Sequence, residues 1–395
     1  MPRIVAAPQF PGKTRAETTF RPSGAPRRLP LVSVLSPIQT IDAESVGALG
    51  RGCAVLSTGG GGGVETGLLA AGHALEQYGP VEVVQPGDVA PDALVVPLSG
   101  IGAPTVSAEM IPDADDVLRL RDAVEELTGR EVAAVMSSEI GGSNGVQPVA
   151  WAARLGVPLV DADGMGRAFP EVQMISMYVA GLPVNSIVLA DTLGNVTTMK
   201  PVDGLWAERL ARAVAVAAGS HALMADYLLD GAQLDGAVIP GTVSQAVRLG
   251  HATEGAEDPL AALVEALGAR VLVTGKIIDI ERRTGGGFVR GSVVIDGLGD
   301  DRGRLVRVEI QNENLVVLDE GTLLASVPDL ITVVDTASAR AVQTENLRYG
   351  QRVSVLAWAC HPLWRSERGL EVVGPRAFGY DLDYVPVEEI GAVRG

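Results

Sequence analysis

Val132-Ala133-Ala134-Val135-Met136-Ser137-Ser138-Glu139-Ile140-Gly141-Gly142-Ser143-Asn144-Gly145 is an apolar run that breaks into a polar, glycine-rich loop. Val157 to Val160 does the same, running into Asp161-Ala162-Asp163-Gly164-Met165-Gly166-Arg167-Ala168-Phe169-Pro170. Short apolar runs closed by glycine or acid read as strands buried on both faces. The rhythm recurs. Cys53 to Leu56 runs into Ser57, Thr58 and the glycines at 59–63; Ala93 to Leu98 into Ser99-Gly100-Ile101-Gly102-Ala103-Pro104; Ser186 to Ala190 into Asp191-Thr192-Leu193-Gly194-Asn195. Between these runs lie amphipathic patterns that predict helices over 64–78, 113–128 and 147–155, with Asp113 as an N-cap and Gly129 just past the end of the second. Strand and helix in alternation predict a three-layer α/β/α domain with a largely parallel sheet over residues 41–267. In such sheets ligands bind outside the carboxyl ends of the strands, so the five polar loops are expected to share one rim.

Beyond residue 201 the texture changes. Helices are predicted over 203–218, 221–229, 243–252 and 260–267. From Val271 short alternating strands follow, over 271–280, 287–295, 305–311, 315–318, 330–334, 352–359 and 370–373. Strands so spaced without helices predict a smaller β-barrel-like domain over 268–395. Residues 1–40 read as an N-terminal extension, in which Arg3, Lys13, Arg15, Arg21, Arg27 and Arg28 stand against Glu17 alone. It has no apolar h-region, so it is not read as a secretory signal.

With 31 basic and 48 acidic residues the net charge is −17, a field that repels polyphosphate, so no nucleic-acid partner is expected. Cys53 and Cys360 are the only cysteines, which excludes a disulfide framework or a zinc ribbon and suits a cytoplasmic setting. No apolar stretch is long enough to span a bilayer, so no membrane partner is expected. A small-molecule substrate and a homo-oligomer are the expected partners.

The glycine run has neither a G-x-G-x-x-G register nor a following Gly-Lys-Ser/Thr, so nucleotide binding has little support. Its amides at Gly60, Gly61 and Gly62 could form a nest for a carbonyl or an anion; close packing of loop on loop would explain the glycines equally. Glu139, Asp161 and Asp163 are the candidate catalytic acids. Asp161 and Asp163 are two apart and share a face of an extended segment. Converging with Glu139, they could hold a divalent metal through oxygens, or split their pKa values into an acid and a base; the alternative is that they cap loop amides. Asn144 offers a donor and an acceptor to a ring amide, or accepts a left-handed backbone. Arg167 could bind a carboxylate bidentately, or pair with Asp161, Asp163 or Glu171. Asp191 joins the rim from its own loop. His73, His221, His251 and His361 share no metal-ligand spacing. Asn312-Glu313-Asn314 and Gly374-Pro375-Arg376-Ala377-Phe378-Gly379-Tyr380-Asp381 are polar clusters beside strands, and either could reach over the rim.

Taken together, the glycine run, Glu139-Ile140-Gly141-Gly142-Ser143-Asn144, the segment 161–170, Gln311-Asn312-Glu313 and the segment 374–381 resemble a bacterial family named after S-methyl thiohydantoin desulfurase, found among hydantoin-utilisation genes. The resemblance implies a three-layer α/β domain joined to a β-barrel domain. It also implies a hydrolase of a small five-membered cyclic amide or amidine: water attacks the ring carbon bearing the S-methyl group, methanethiol leaves and a hydantoin forms. Glu139 or Asp163 would be the base, with the other acid on the protonated ring nitrogen or on a metal. Asn144 and the glycine amides would grip ring polar atoms, and Arg167 a substrate carboxylate. The alternatives are a non-catalytic subunit or ligand-binding protein of a hydantoin or amide pathway, and a lyase or cyclase of a biosynthetic cluster.

Overall fold

The parallel heart of the first sheet is built where the apolar runs are. The computed structural model describes residues 37–102, 113, 115–184, 186–285 and 288–390, so the basic extension expected over 1–40 lies, except for 37–40, outside the described residues. Among those described, the first sheet contains β1 (Thr40–Ile41), β2 (Val81–Val84), β3 (Leu94–Gly102), β4 (Val132–Ser137), β5 (Leu159–Asp163), β6 (Ile187–Ala190), β7 (Val196–Met199), β8 (His221–Ala225), β9 (Leu229–Asp230) and β10 (Ile239–Pro240). The helices are α1 (Val46–Leu56), α2 (Val64–Tyr78), α3 (Asp116–Thr128), α4 (Ser143–Leu155), α5 (Ser176–Val179), α6 (Gly204–Ala217), α7 (Thr242–Ala252), α8 (Pro259–Leu267) and α9 (Glu367–Val373). The strand order is β1-β2-β5-β4-β3-β8-β6-β7, with β10 added to β5 and β9 to β3.

This sheet is mixed. Strands β2, β5, β4 and β3 are parallel, because α3 and α4 carry the chain back between β3, β4 and β5. Beyond β3 the pairing turns antiparallel through β8, β6 and β7, where a tight turn rather than a helix joins β6 to β7. Helices cover both faces. Ile187, Leu189, Ala222 and Met224 pack with Ala207, Ala211 and Ala215 of α6, whereas Val188, Ala190, Leu223 and Ala225 enter the main core. That alternation is the period of a strand sandwiched between two apolar layers.

The second sheet is antiparallel, β15-β14-β13-β12-β11-β17-β16 in space, and curls into a half-barrel. Its strands are β11 (Arg270–Gly285), β12 (Phe288–Gly297), β13 (Leu305–Gln311), β14 (Glu313–Asp319), β15 (Thr322–Ser326), β16 (Leu330–Asp335) and β17 (Arg352–Trp358). Irregular registers in β11, β13 and β14 supply the bending that a flat sheet lacks. Alternate residues such as Val293, Ile295, Val306, Val308, Val353 and Val355 fill its interior. It docks on the end of α1 and the loop after it: Asn314 Nδ2 donates to the Thr58 carbonyl at 2.8 Å and Thr332 Oγ1 to the Val55 carbonyl at 2.8 Å.

Four local expectations change. Cys53 to Leu56 is the end of α1, not a strand. Gly52 meets α7 so closely that a Cβ there would overlap the Ala246 carbonyl, and Gly250 meets α1 in the same way at Ala48. A helix buried this deeply reads as an apolar run of no clear period. Residues 221–225 form β8 and Leu229 opens β9, because β3 offers an open edge to pair with. Residues 370–373 are helical, within α9, whose first turn is capped by Ser366 Oγ accepting from the Gly369 amide at 3.0 Å. The cap position before α3 is Asp115; Asp113 instead accepts from Arg119 Nη2 at 2.7 Å. Among the described residues, no helix is long and apolar enough to cross a membrane.

Candidate active site

Glycine lets three loops interlock. Gly142, at φ 66° and ψ −147°, turns the chain from β4 into α4 in a conformation that only glycine adopts freely. Its amide donates to the Cys53 carbonyl at 2.8 Å, and the Ser143 amide to the Gly61 carbonyl at 2.9 Å. The glycine run is thereby laced to the Glu139–Gly145 loop. A Cβ on Gly141 would press on Ser57 and Ala168, so the loop after β5 completes the interlock.

Glu139 is held at the centre. Its Oε1 accepts from Asn144 Nδ2 at 2.8 Å and its Oε2 from the Phe169 amide at 3.1 Å. Asn144 is itself fixed, since its Oδ1 accepts from the Gly100 amide at 2.8 Å. Burial pushes the Glu139 carboxyl up to about 8, against the two hydrogen bonds that favour its ionised form.

Glu139 lines a cavity of about 640 Å³. Gly61, Gly62 and Asn144 share the wall with it, and the half-barrel contributes Glu313 and Glu345. Asp226, just after β8, is a further acid of the wall; it accepts from Ser138 Oγ at 2.9 Å and is pushed up to about 7 by burial. Glu313 is raised well above the usual carboxylate range, by burial first and then by Glu139, while the Arg167 charge pulls it down. Burial also raises Glu345 and lowers His221, another wall residue. Arg212 reaches the same wall but is tied to Glu208 at 2.7 Å. The arrangement is a pocket walled by carboxyl groups that burial favours in their neutral forms.

Two family models match consecutive parts of the chain: "S-Me-THD-like, N-terminal domain" over residues 44–201 and "S-Me-THD-like, C-terminal domain" over 202–387. The chain belongs to the S-Me-THD-like family. That membership supports a thiohydantoin-related function. The X-ray structure of a protein from Chromobacterium violaceum shares the fold of this S-Me-THD-like chain, at a TM-score of 0.74 and 24% identity over 88% of this chain and 99% of that one. No curated protein matches it.

The residues singled out in the sequence of this S-Me-THD-like protein part company in space. Glu139, Asn144, Gly61 and Gly62 meet at the cavity; Gly60 lies against the Glu313 carboxylate. Asp161 and Asp163 do not line the cavity. Asp161 accepts from Gln85 Nε2 at 3.0 Å and from the amide and hydroxyl of Ser244 at 3.0 and 2.5 Å, anchoring α7. Asp163 accepts from the amides of Ile140, Met165 and Gly166 at 2.8, 3.0 and 2.8 Å, binding the two loops to each other. Burial raises Asp163 to about 7. Both acids bind parts of the scaffold to one another.

Arg167 is fully buried, and its donors are engaged within the protein rather than at the cavity. Its Nη1 donates to the Pro328 carbonyl at 2.8 Å, its Nη2 to Thr58 Oγ1 at 2.8 Å and its Nε to the Ala168 carbonyl at 2.9 Å, and its guanidinium lies 4.4 Å from the Phe169 ring centroid. It pairs with neither Asp161, Asp163 nor Glu171 and instead fastens the half-barrel to the first sheet. Asp191 closes its own turn by accepting from the Leu193 and Asn195 amides at 3.0 and 2.8 Å, away from the cavity. Among the described residues, no group of three or more His, Cys, Asp or Glu is placed to hold a metal ion. Asp226 escaped the sequence reading although it follows an apolar run, the same signature as the other loops; Glu345 carries no such signal.

Proposed function

We propose that this protein is a hydrolase of a small five-membered cyclic amidine, acting on an S-methyl thiohydantoin. One observation carries the reading: Glu139, buried in the wall of a cavity of about 640 Å³, is aimed by Asn144, and burial pushes its carboxyl up to about 8. A carboxylate of that strength is an effective general base near neutral pH, and the volume falls within the range of small-molecule sites.

Glu139 takes a proton from water as the oxygen attacks the ring carbon bearing the S-methyl group. The C=N electrons move to the ring nitrogen, which a neutral carboxyl of the cavity protonated as the substrate bound. The tetrahedral carbon then returns its hydroxyl proton to that carboxylate and re-forms a carbonyl. Methanethiolate departs with the proton that Glu139 had taken. One water is consumed, one C–S bond breaks, and methanethiol and a hydantoin result. Each carboxyl ends in its starting state.

The test is to incubate the purified protein with S-methyl thiohydantoin, titrate free thiol and quantify the hydantoin by chromatography. Equimolar thiol and hydantoin support the reading. No thiol release from folded protein overturns it.

A further inference from the structure

Glu313 is the least satisfied group of the cavity. Asn312, at φ 57°, turns β13 into β14 and delivers Glu313 to the wall. Glu313 is only 2% exposed, yet its Oε2 has no hydrogen-bond partner. It is pinned in place, because the backbone at Gly60 comes so close that a Cβ there would overlap the carboxylate. The charged groups acting on it are Glu139, Glu345 and Arg167. Arg167 supplies charge but its donors are engaged by Thr58, Ala168, Pro328 and Asp329. A buried carboxyl with an open oxygen is costly unless something donates to it. An anion is an unsuitable donor carrier here, since Glu139, Glu345 and Asp226 line the same wall.

We propose that Glu313 is a recognition residue for a planar amidinium, an N–C–N unit whose N–H groups are met by the Glu313 carboxylate, with Glu345 and Glu139 on the same wall. Carboxylates match such a unit because its donors are coplanar and charge-assisted. The inference rests on the hydrolase reading for its substrate, since the S–C(=N)–N unit of the ring is such an amidine and accepts a proton as it binds. It assigns the site a ligand class beyond that one ring: cationic amidines and isothiouronium ions bind, and their neutral oxygen analogues do not.

The probe pair is S-methylisothiouronium and S-methyl thiocarbamate, which differ by a cationic nitrogen against a neutral oxygen. Calorimetric titration of the full chain is expected to show the cation binding at least tenfold more tightly, with Glu313→Gln reducing that preference to about twofold or less while circular dichroism stays unchanged. Equal affinities for the two probes in the unsubstituted protein overturn the inference, as does a Glu313→Gln protein that keeps the tenfold preference. If Glu313→Gln does not fold, the ratio of the two probes on the unsubstituted protein decides alone. Neither probe needs to turn over. Absent thiol release with the cation preference intact sinks only the hydrolase reading, and thiol release without the preference sinks only this one.

Discussion

Replacing Glu139 by Gln separates a catalytic role from a scaffolding one. Both carboxylate oxygens are in use, Oε1 with Asn144 Nδ2 and Oε2 with the Phe169 amide. Gln offers one acceptor and one donor, so one of those two N–H groups must face an NH₂. Leaving a buried donor unmet costs about 1–3 kcal/mol of stability. Combining Glu139→Gln with Asn144→Asp places an acceptor opposite the new side-chain NH₂. The other oxygen of the introduced Asp still receives the Gly100 amide, a bond made at 2.8 Å in the unsubstituted protein. The double variant should therefore regain most of the lost stability, a coupling expected of residues in direct contact. Activity should not return with it. Loss of a general base lowers the rate by roughly 10²–10⁴, about 3–5 kcal/mol of barrier. The base works ionised and burial holds it at about 8, so kcat/KM of the unsubstituted enzyme should rise with pH through that value. The assays are thiol release across roughly pH 7–9, about one pKa unit on either side of that value, and urea titration of the three proteins. A Glu139→Gln enzyme within about threefold of full activity, or a double variant that recovers turnover together with stability, would refute the base assignment.

Other expectations test the scaffold. Glu139, Asp163 and Asp226 sit at about 8, 7 and 7 when folded, above their unfolded values near 4, so the folded state retains protons that the unfolded state releases. Their contribution is fully present below about pH 4 and is lost as pH rises towards 8; urea midpoints should therefore fall from pH 5.5 to pH 8.5, and a rise would contradict the burial of these acids. Arg167→Lys keeps a charge but loses the fork that bridges Thr58 and Pro328, and should cost about 3 kcal/mol of stability with KM unchanged in the folded fraction. Full stability with a raised KM would instead mark Arg167 as a substrate ligand. Gly52→Ala should destabilise by about 3 kcal/mol through overlap with the Ala246 carbonyl, whereas Gly72→Ala in α2, where the added methyl meets open space, should stabilise by up to about 1 kcal/mol; thermal melts that reverse this order would count against the α1–α7 contact.

Much of the architecture is local information. Strands β3, β4, β5 and β6 and most of the half-barrel follow from apolar runs or alternations whose burial pattern is written residue by residue. Where a tertiary partner sets the environment, the local pattern misleads. The tail of α1 is apolar all round because Gly52 and Gly250 let α7 lie against it, and 221–225 become a strand because β3 has an edge to fill.

The candidate site divides along the same line. By itself the sequence determined which loops carry the polar groups, since acids between glycines after a buried strand leave backbone close to whatever they bind. It also marked Asn312-Glu313-Asn314 as a cluster able to reach the rim. Which acids face the cavity was decided only by tertiary structure. Asp161 and Asp163 are chemically equivalent to Glu139 on paper. Pairing of β5 with β10 and the approach of Ser244 turn one towards α7, and the amides of Ile140, Met165 and Gly166 claim the other. Glu139 keeps its place in the cavity wall because Asn144 and Phe169 hold it there, and Glu313 joins it because the half-barrel docks on the glycine run. A carboxylate's role depends on which donors reach it first, and those donors come from segments far away along the chain.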